Sequence, residues 1–172
     1  VNDLGDINNL AYLLRYDTAY GHAPYQVETA PGALIIDGRT VRYVSEREPE
    51  KLPWKEEQID LVVESTGIFT AYDKAQVHIT AGAKRVVISA PVKDASDLGK
   101  TVLMGVNEAD LATCAISSNA SCTTNAASPL VGILNDAIGI EKAILNTVHA
   151  YTASQSLVDG PSKKDFREGR AA

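Results

Sequence analysis

Of the chain's two cysteines, only one has neighbours suited to chemistry. Cys114, in TCAISS, reads as a structural thiol, the kind that behaves as a small hydrophobe. Cys122, in SNASCTTN (residues 118–125), is set among hydroxyls, between Ser121 and Thr123. A thiol is a good nucleophile only as the thiolate, and an imidazole is the usual partner that activates it. Of the three histidines, His22 falls in the loop-like YGHAPY, and His78 falls mid-helix in QVHIT, where an exposed or packed ring is expected. His149 closes the apolar run KAILNTVHAYT, 27 residues after Cys122. A strand is predicted there, which would hold the ring on a rigid element. Papain-like peptidases and caspases space this couple differently and carry local signatures that do not occur here. On spacing alone, a working pair and two unrelated residues fit equally well.

The elements that must position these residues alternate along the chain. DINNLAYLLRYD places Ile7, Leu10, Ala11 and Leu14 at helical spacing behind Asp6 as N-cap. ALIIDGRTVRYV reads as a hairpin turning on Asp37-Gly38. IDLVVES (59–65), KRVVISAP and CAISS are short, nearly continuous apolar runs of the kind that buried parallel strands make. AYDKAQVHITAGA reads as a helix closed by Gly82, and PLVGILNDAIGI as another. Strands alternating with helices predict an α/β fold, a doubly wound parallel sheet of Rossmann type. Ligands bind such sheets at the carboxyl ends of the strands. That rule selects Asp3, the Ser65-Thr66-Gly67 turn, Ser89-Ala90-Pro91 and residues 118–122. Asp3 is a candidate for the acid that holds a ribose 2′-hydroxyl, although the glycine-rich loop that should precede such an acid does not occur in the chain. An Asn-Asp-Leu-Gly turn is the plainer reading of the same residues.

Composition narrows the class. The chain has 172 residues, 45% hydrophobic and 22% charged, which suits one large globular domain or two small ones. A net charge of -6 argues against a general nucleic-acid or membrane surface. Two cysteines cannot make a disulfide framework and point to the cytosol. No apolar run approaches the roughly 20 residues that span a bilayer. The chain opens on VNDLGD without a methionine and ends on DFREGRAA, so an internal piece of a longer protein is expected.

Whole local sequences say more than spacing does. SNASCTTN, followed by HAYTASQSLVDGPSKKDFREGRAA, joins VNDL, YDTAYG, SEREP, ESTGIF, AGAKRVVISAP and GVN in one order. Taken together, essentially the whole chain closely resembles the phosphorylating glyceraldehyde-3-phosphate dehydrogenase family. The resemblance implies an NAD-binding domain over residues 1–120 without its first βα unit, and the beginning of an α+β catalytic domain over residues 121–172. It implies oxidation of glyceraldehyde 3-phosphate to 1,3-bisphosphoglycerate with NAD and inorganic phosphate. Cys122 would be the nucleophile, passing through a thiohemiacetal and a thioester, and His149 the base. Ser121, Thr123 and Thr152 match positions whose hydroxyls hold substrate or attacking phosphate, which would account for the polar setting of the thiol.

For the cofactor, the resemblance makes Asp3 the ribose-binding acid. It places Arg47 on the adenine side, Ser89 on the nicotinamide side, and Thr66 and Gly67 beneath the dinucleotide. Leu4 and Pro161 look like the NAD-preferring pattern, and no metal is implied. The segment from Leu157 to Arg170 resembles a loop that packs near a neighbouring subunit's cofactor in a homotetramer. A cytoplasmic enzyme without nucleic-acid or membrane partners is expected. Lys163, Lys164 and Arg167 read better as a solvated loop face than as a phosphate site. Capping rules would start a helix at Ser128-Pro129, but the family starts it at the cysteine, and that start is preferred here. The competing readings are erythrose-4-phosphate dehydrogenase, an NAD-binding protein with a silent Cys122, and a cysteine hydrolase.

Overall fold

The computed structural model describes residues 1–93, 96–158, 160–162 and 166–169. These fall into two compact units, Val1–Asn125 and Ala126–Ala172.

The first unit opens with α1 (Ile7–Arg15), whose first turn is capped by the Asp6 carboxylate accepting from the amides of Asn8 and Asn9 at 2.9 and 3.0 Å. Ala11 on its inner face is fully buried, and it packs with Val27 and Leu34 against Ile7, Leu14, Ile36 and Val41. A hairpin of two-residue strands, β1 (Tyr16–Asp17) with β2 (Gly21–His22), precedes an antiparallel meander of β3 (Val27–Ala30), β4 (Ala33–Ile36) and β5 (Arg39–Arg42). The turn between β4 and β5 has positive φ at both central residues, 47° at Asp37 and 77° at Gly38. That is the primed turn whose twist matches paired strands, as the Asp-Gly pair predicts.

A separate four-stranded sheet carries the candidate strand ends. It contains β6 (Leu61–Glu64), β7 (Arg85–Ile88), β8 (Gly99–Thr101) and β9 (Ile116–Ser118), all parallel, in the order β6-β7-β9-β8. Helix α2 (Tyr72–Thr80) makes the crossover from β6 to β7 and ends at Gly82, whose φ is 112° and whose amide donates to the Ile79 carbonyl. Val62, Tyr72, Ala75, Ala83, Val86, Ile88 and Ile116 form the core between helix and sheet. Burying each large apolar side chain stabilises the fold by about 1.5–3 kcal/mol. Gly99 permits the closest approach, since a Cβ there would lie 2.3 Å from the Tyr72 ring. The parallel sheet with its crossover helix is the α/β, Rossmann-type arrangement expected from the sequence.

Helix α3 (Cys122–Ile138) begins at the cysteine and carries Pro129 within it, so the resemblance predicted its start better than capping rules did. It leads into the second unit. Residues 142–152 form no strand, which corrects the reading of KAILNTVHAYT. A strand is made by pairing, and among the described residues of this unit no second strand takes up its backbone groups. Ile144 and Val148 accordingly lie 98% and 99% exposed. A short 3-10 turn, Phe166–Gly169, is tied back through the Ser156 amide to the Glu168 carbonyl at 3.0 Å. Arg167 is exposed, whereas Lys163, Lys164 and Arg170 lie outside the described residues.

Candidate functional site

At the end of β9 the chain turns sharply into α3. The Ser118 hydroxyl donates to the Ala90 carbonyl at 2.7 Å and accepts from the Ala120 amide at 3.1 Å. Ala120 then adopts φ 58°, a left-handed conformation that is costly for a residue with a Cβ. Ser121 caps the helix, its Oγ accepting from the Thr124 amide at 3.1 Å and lying 3.0 and 2.6 Å from the Thr123 and Thr124 hydroxyls. The Asn125 side-chain amide donates to the carbonyls of Asn119 and Ser121 at 2.6 and 2.9 Å, closing the turn from the helix side. Cys122 is thereby fixed as the first residue of α3, exposed, where helix amides and dipole favour a thiolate. Ser121 and Thr123 flank it.

The neighbouring strand ends supply Thr66, Gly67 and Ser89. Ser89 follows β7, is exposed, and donates its amide to the Glu64 carbonyl at 2.9 Å. Thr66 and Gly67 form the turn after β6, with Gly67 at φ 73°. Beneath them lies an arrangement that the sequence reading missed. The Glu64 carboxylate is buried, and its Oε1 accepts from both the amide and the hydroxyl of Thr66. Its Oε2 lies 2.8 Å from His78 Nε2, while Trp54 Nε1 donates to His78 Nδ1 at 3.2 Å. Burial pushes the Glu64 carboxyl up, but hydrogen bonds from His78 and Thr66 outweigh it, so the group is held below the usual carboxylate range. His78 is thus a packed core histidine. The available signal was a lone charge ending the otherwise apolar run LVVE.

Asp3 sits at a third edge, exposed, its amide donating to the Val44 carbonyl at 3.0 Å beside the Asn2–Val44 bridge. One carboxylate oxygen accepts from the Gly5 amide at 2.8 Å, which is the turn role expected of it. The Tyr43 hydroxyl reaches the carbonyls of Asp3 and Gly5 at 2.8 and 2.5 Å, a brace that sequence reasoning did not find. Asn2 and Glu46 exchange two hydrogen bonds, 3.1 and 2.9 Å, which bring the loop carrying Arg47 beside the loop carrying Asp3. Arg47 and Leu4 are exposed.

In the second unit, His149 is exposed, with Nδ1 2.5 Å from the Ala150 carbonyl. A carbonyl only accepts, so Nδ1 carries a proton. Thr152 begins a tight turn, its amide donating to the Gln155 side chain at 3.0 Å and its hydroxyl 3.0 Å from that of Ser154. Pro161 is exposed.

Residues 1–72 match the model of the glyceraldehyde 3-phosphate dehydrogenase NAD-binding domain, and residues 121–172 match the C-terminal domain of the same family. The chain belongs to the glyceraldehyde-3-phosphate dehydrogenase family. It is 49% identical over 172 residues to the cytosolic glyceraldehyde-3-phosphate dehydrogenase of Trypanosoma brucei brucei, covering 100% of this chain and 51% of the relative. It is 50% identical over 174 residues to glyceraldehyde-3-phosphate dehydrogenase 1 of a Nostoc species, and 48% identical over 174 to that of Clostridium pasteurianum; each match covers all of this chain, with 50% and 51% of the relatives. The chain therefore spans about half the length of the curated relatives it matches. Membership in this family gives NAD as the cofactor, and Asp3, Thr66 and Gly67 lie within the residues that its NAD-binding domain matches. Among the described residues, no helix is long and apolar enough to cross a membrane.

Proposed function

We propose that the protein oxidises glyceraldehyde 3-phosphate, with inorganic phosphate and NAD, to 1,3-bisphosphoglycerate. The observation that carries this reading is the seat of Cys122: a thiol on the first turn of α3, directly after a parallel strand, with the hydroxyls of Ser121 and Thr123 on either side. His149 Nε2 takes the Cys122 thiol proton, the thiolate adds to the aldehyde carbon, and the oxyanion takes that proton back; the hydroxyl proton of the resulting thiohemiacetal returns to His149 Nε2 as the carbon is oxidised. Bound NAD would supply the hydride acceptor for that carbon, and the oxidised carbon is then held on Cys122 as a thioester. A phosphate oxygen then attacks the thioester carbonyl, the Cys122 thiolate leaves, and the acyl phosphate departs. Ser121, Thr123 and Thr152 donate to the anionic groups of substrate and phosphate.

Asp3 accepts from the ribose hydroxyls, and the fit is chemical: its second carboxylate oxygen makes no hydrogen bond among the described residues. Arg47 lies toward the adenine and Ser89 toward the nicotinamide, with Thr66 and Gly67 beneath. Residues 1–120 form the cofactor domain and residues 121–172 begin the catalytic one. The working form is a cytoplasmic homotetramer without nucleic-acid or membrane partners, with the 157–170 segment near a neighbouring subunit's cofactor. The test is the protein expressed from its whole reading frame, assayed for reduced NAD. Formation that depends on both glyceraldehyde 3-phosphate and phosphate, and is abolished by iodoacetamide, is expected. Release of free acid without NAD reduction, or a marked preference for erythrose 4-phosphate, would overturn the assignment.

A further inference from the structure

Glu64 has no role in the chemistry just described, yet it is a charged group 4% exposed in the core of the sheet. A buried carboxylate is a poor way to stabilise a fold, because apolar residues of similar size commonly do as well or better. What distinguishes this one is the direction of its hydrogen bonds. Trp54 Nε1 can only donate, so His78 Nδ1 must accept and the ring proton sits on Nε2, facing Glu64 Oε2. On the other side, Oε1 receives two donors, the amide and hydroxyl of Thr66. With its proton committed to Glu64, the Thr66 hydroxyl accepts from the Ile68 amide at 3.1 Å. The sequence of donors and acceptors therefore runs from the core indole to the backbone on both sides of Gly67.

We propose that Glu64 is a positioning residue for the dinucleotide: through Thr66 it holds the 66–68 turn in its binding shape, with His78 fixing the carboxylate from behind. This rests on the reading of Thr66 and Gly67 as part of the NAD site. Only a carboxylate meets the requirement, since donors approach both of its oxygens. A glutamine would turn its NH2 against either His78 Nε2–H or the Thr66 pair. Gly67 completes the device, because its φ of 73° presents the turn backbone where a residue with a Cβ would be strained.

The experiment measures NAD dissociation constants by calorimetry, and melting temperatures, on the protein from its whole reading frame. Glu64→Gln should weaken NAD by about tenfold or more, the usual scale for losing a hydrogen bond to a charged group. Thr66→Val, at an exposed position, should weaken it too, and Thr66→Ser should restore it. The double variant Glu64→Gln/Thr66→Val should fall short of the product of the single effects, as residues acting through one contact do. Val86→Ala, a truncation elsewhere in the same core, should lower the melting temperature and leave NAD affinity unchanged. A Glu64→Gln protein that melts early but binds NAD normally would overturn the proposal. If Glu64→Gln does not fold, Thr66→Val with unchanged affinity overturns it alone. Asp3→Asn separates the two readings: if it weakens NAD while the turn variants do not, only the role of Glu64 falls. If it too has no effect, the cofactor site itself is misplaced and the inference falls with it.

Discussion

His78 Nε2 meets Glu64 Oε2 at 2.8 Å, with the two side chains only 5% and 3% exposed. Because three donors converge on it, the Glu64 carboxyl titrates below its ordinary value in the folded protein, despite the opposing effect of burial. An unfolded glutamate titrates near about 4.3. The stability this group contributes is therefore fully present above that value and is lost as pH falls through the lower folded pKa. Urea midpoints measured from neutral pH down past about 4 should drop with acid, and should drop less in Glu64→Gln. Equal acid sensitivity in both proteins would show that the carboxylate is not the group responsible.

Gly82 offers a test of packing at the end of α2. A Cβ there would lie 2.5 Å from Lys55 Cβ and 2.7 Å from Lys55 Cα, with φ at 112°. Gly82→Ala should cost about 1–3 kcal/mol from overpacking, in addition to backbone strain. Gly38→Ala is the comparison, since its φ is 77° but nothing lies within 4 Å of the added carbon. It should cost about 1–2 kcal/mol, the strain alone. Similar losses in urea denaturation would mean that the Lys55 backbone moves aside.

Asp3→Gly should weaken NAD and narrow the gap between NAD and NADP. In the role proposed for it, the carboxylate would accept from ribose hydroxyls and repel a 2′-phosphate, and a hydrogen bond to a charged group is worth about 1.5–3 kcal/mol. A loss of about tenfold or more in NAD affinity follows. Calorimetric titration with both cofactors reads it, and an unchanged ratio would leave Asp3 with its turn role alone.

If His149 activates Cys122 as proposed, His149→Asn should slow alkylation of the thiol at neutral pH and move its pH profile upward. Turnover should fall further than alkylation, because a general base contributes roughly 10²–10⁴-fold. Cys122→Ser should abolish turnover and leave NAD binding intact. Unchanged alkylation and rate in His149→Asn would make the cysteine and histidine unrelated.

Local chemistry that repeats or punctuates was readable in the residues. Asp6 capping α1, Asp37-Gly38 turning the meander, Gly82 ending α2 and the apolar runs of β6, β7 and β9 all form where their patterns say. Residues 142–152 show the limit: an apolar run states that a segment can pair, but whether it does depends on a partner elsewhere. Nor could Cys122 as the first helical residue be derived locally, since Pro129 argues for a later start and the Ser121 cap declares itself only in three dimensions. The hydrogen-bonded quartet of Trp54, Glu64, Thr66 and His78 joins residues up to 24 positions apart through hydrogen-bond direction, which no one-dimensional pattern encodes.

The strand order β6-β7-β9-β8 also has a consequence in time. The α1 and meander contacts are local in sequence and close early, while parallel pairings wait on long loops. Strand β8 precedes β9 in the chain but, among the described residues, forms its ladder with β9 alone, so Gly99–Thr101 completes no strand pairing until Ile116–Ser118 has settled against β7. The turn through Ala120 that seats Cys122 hangs from that same late strand. During refolding from urea, helical circular dichroism should therefore recover first, and the fast-alkylating cysteine should reappear only with the slowest phase.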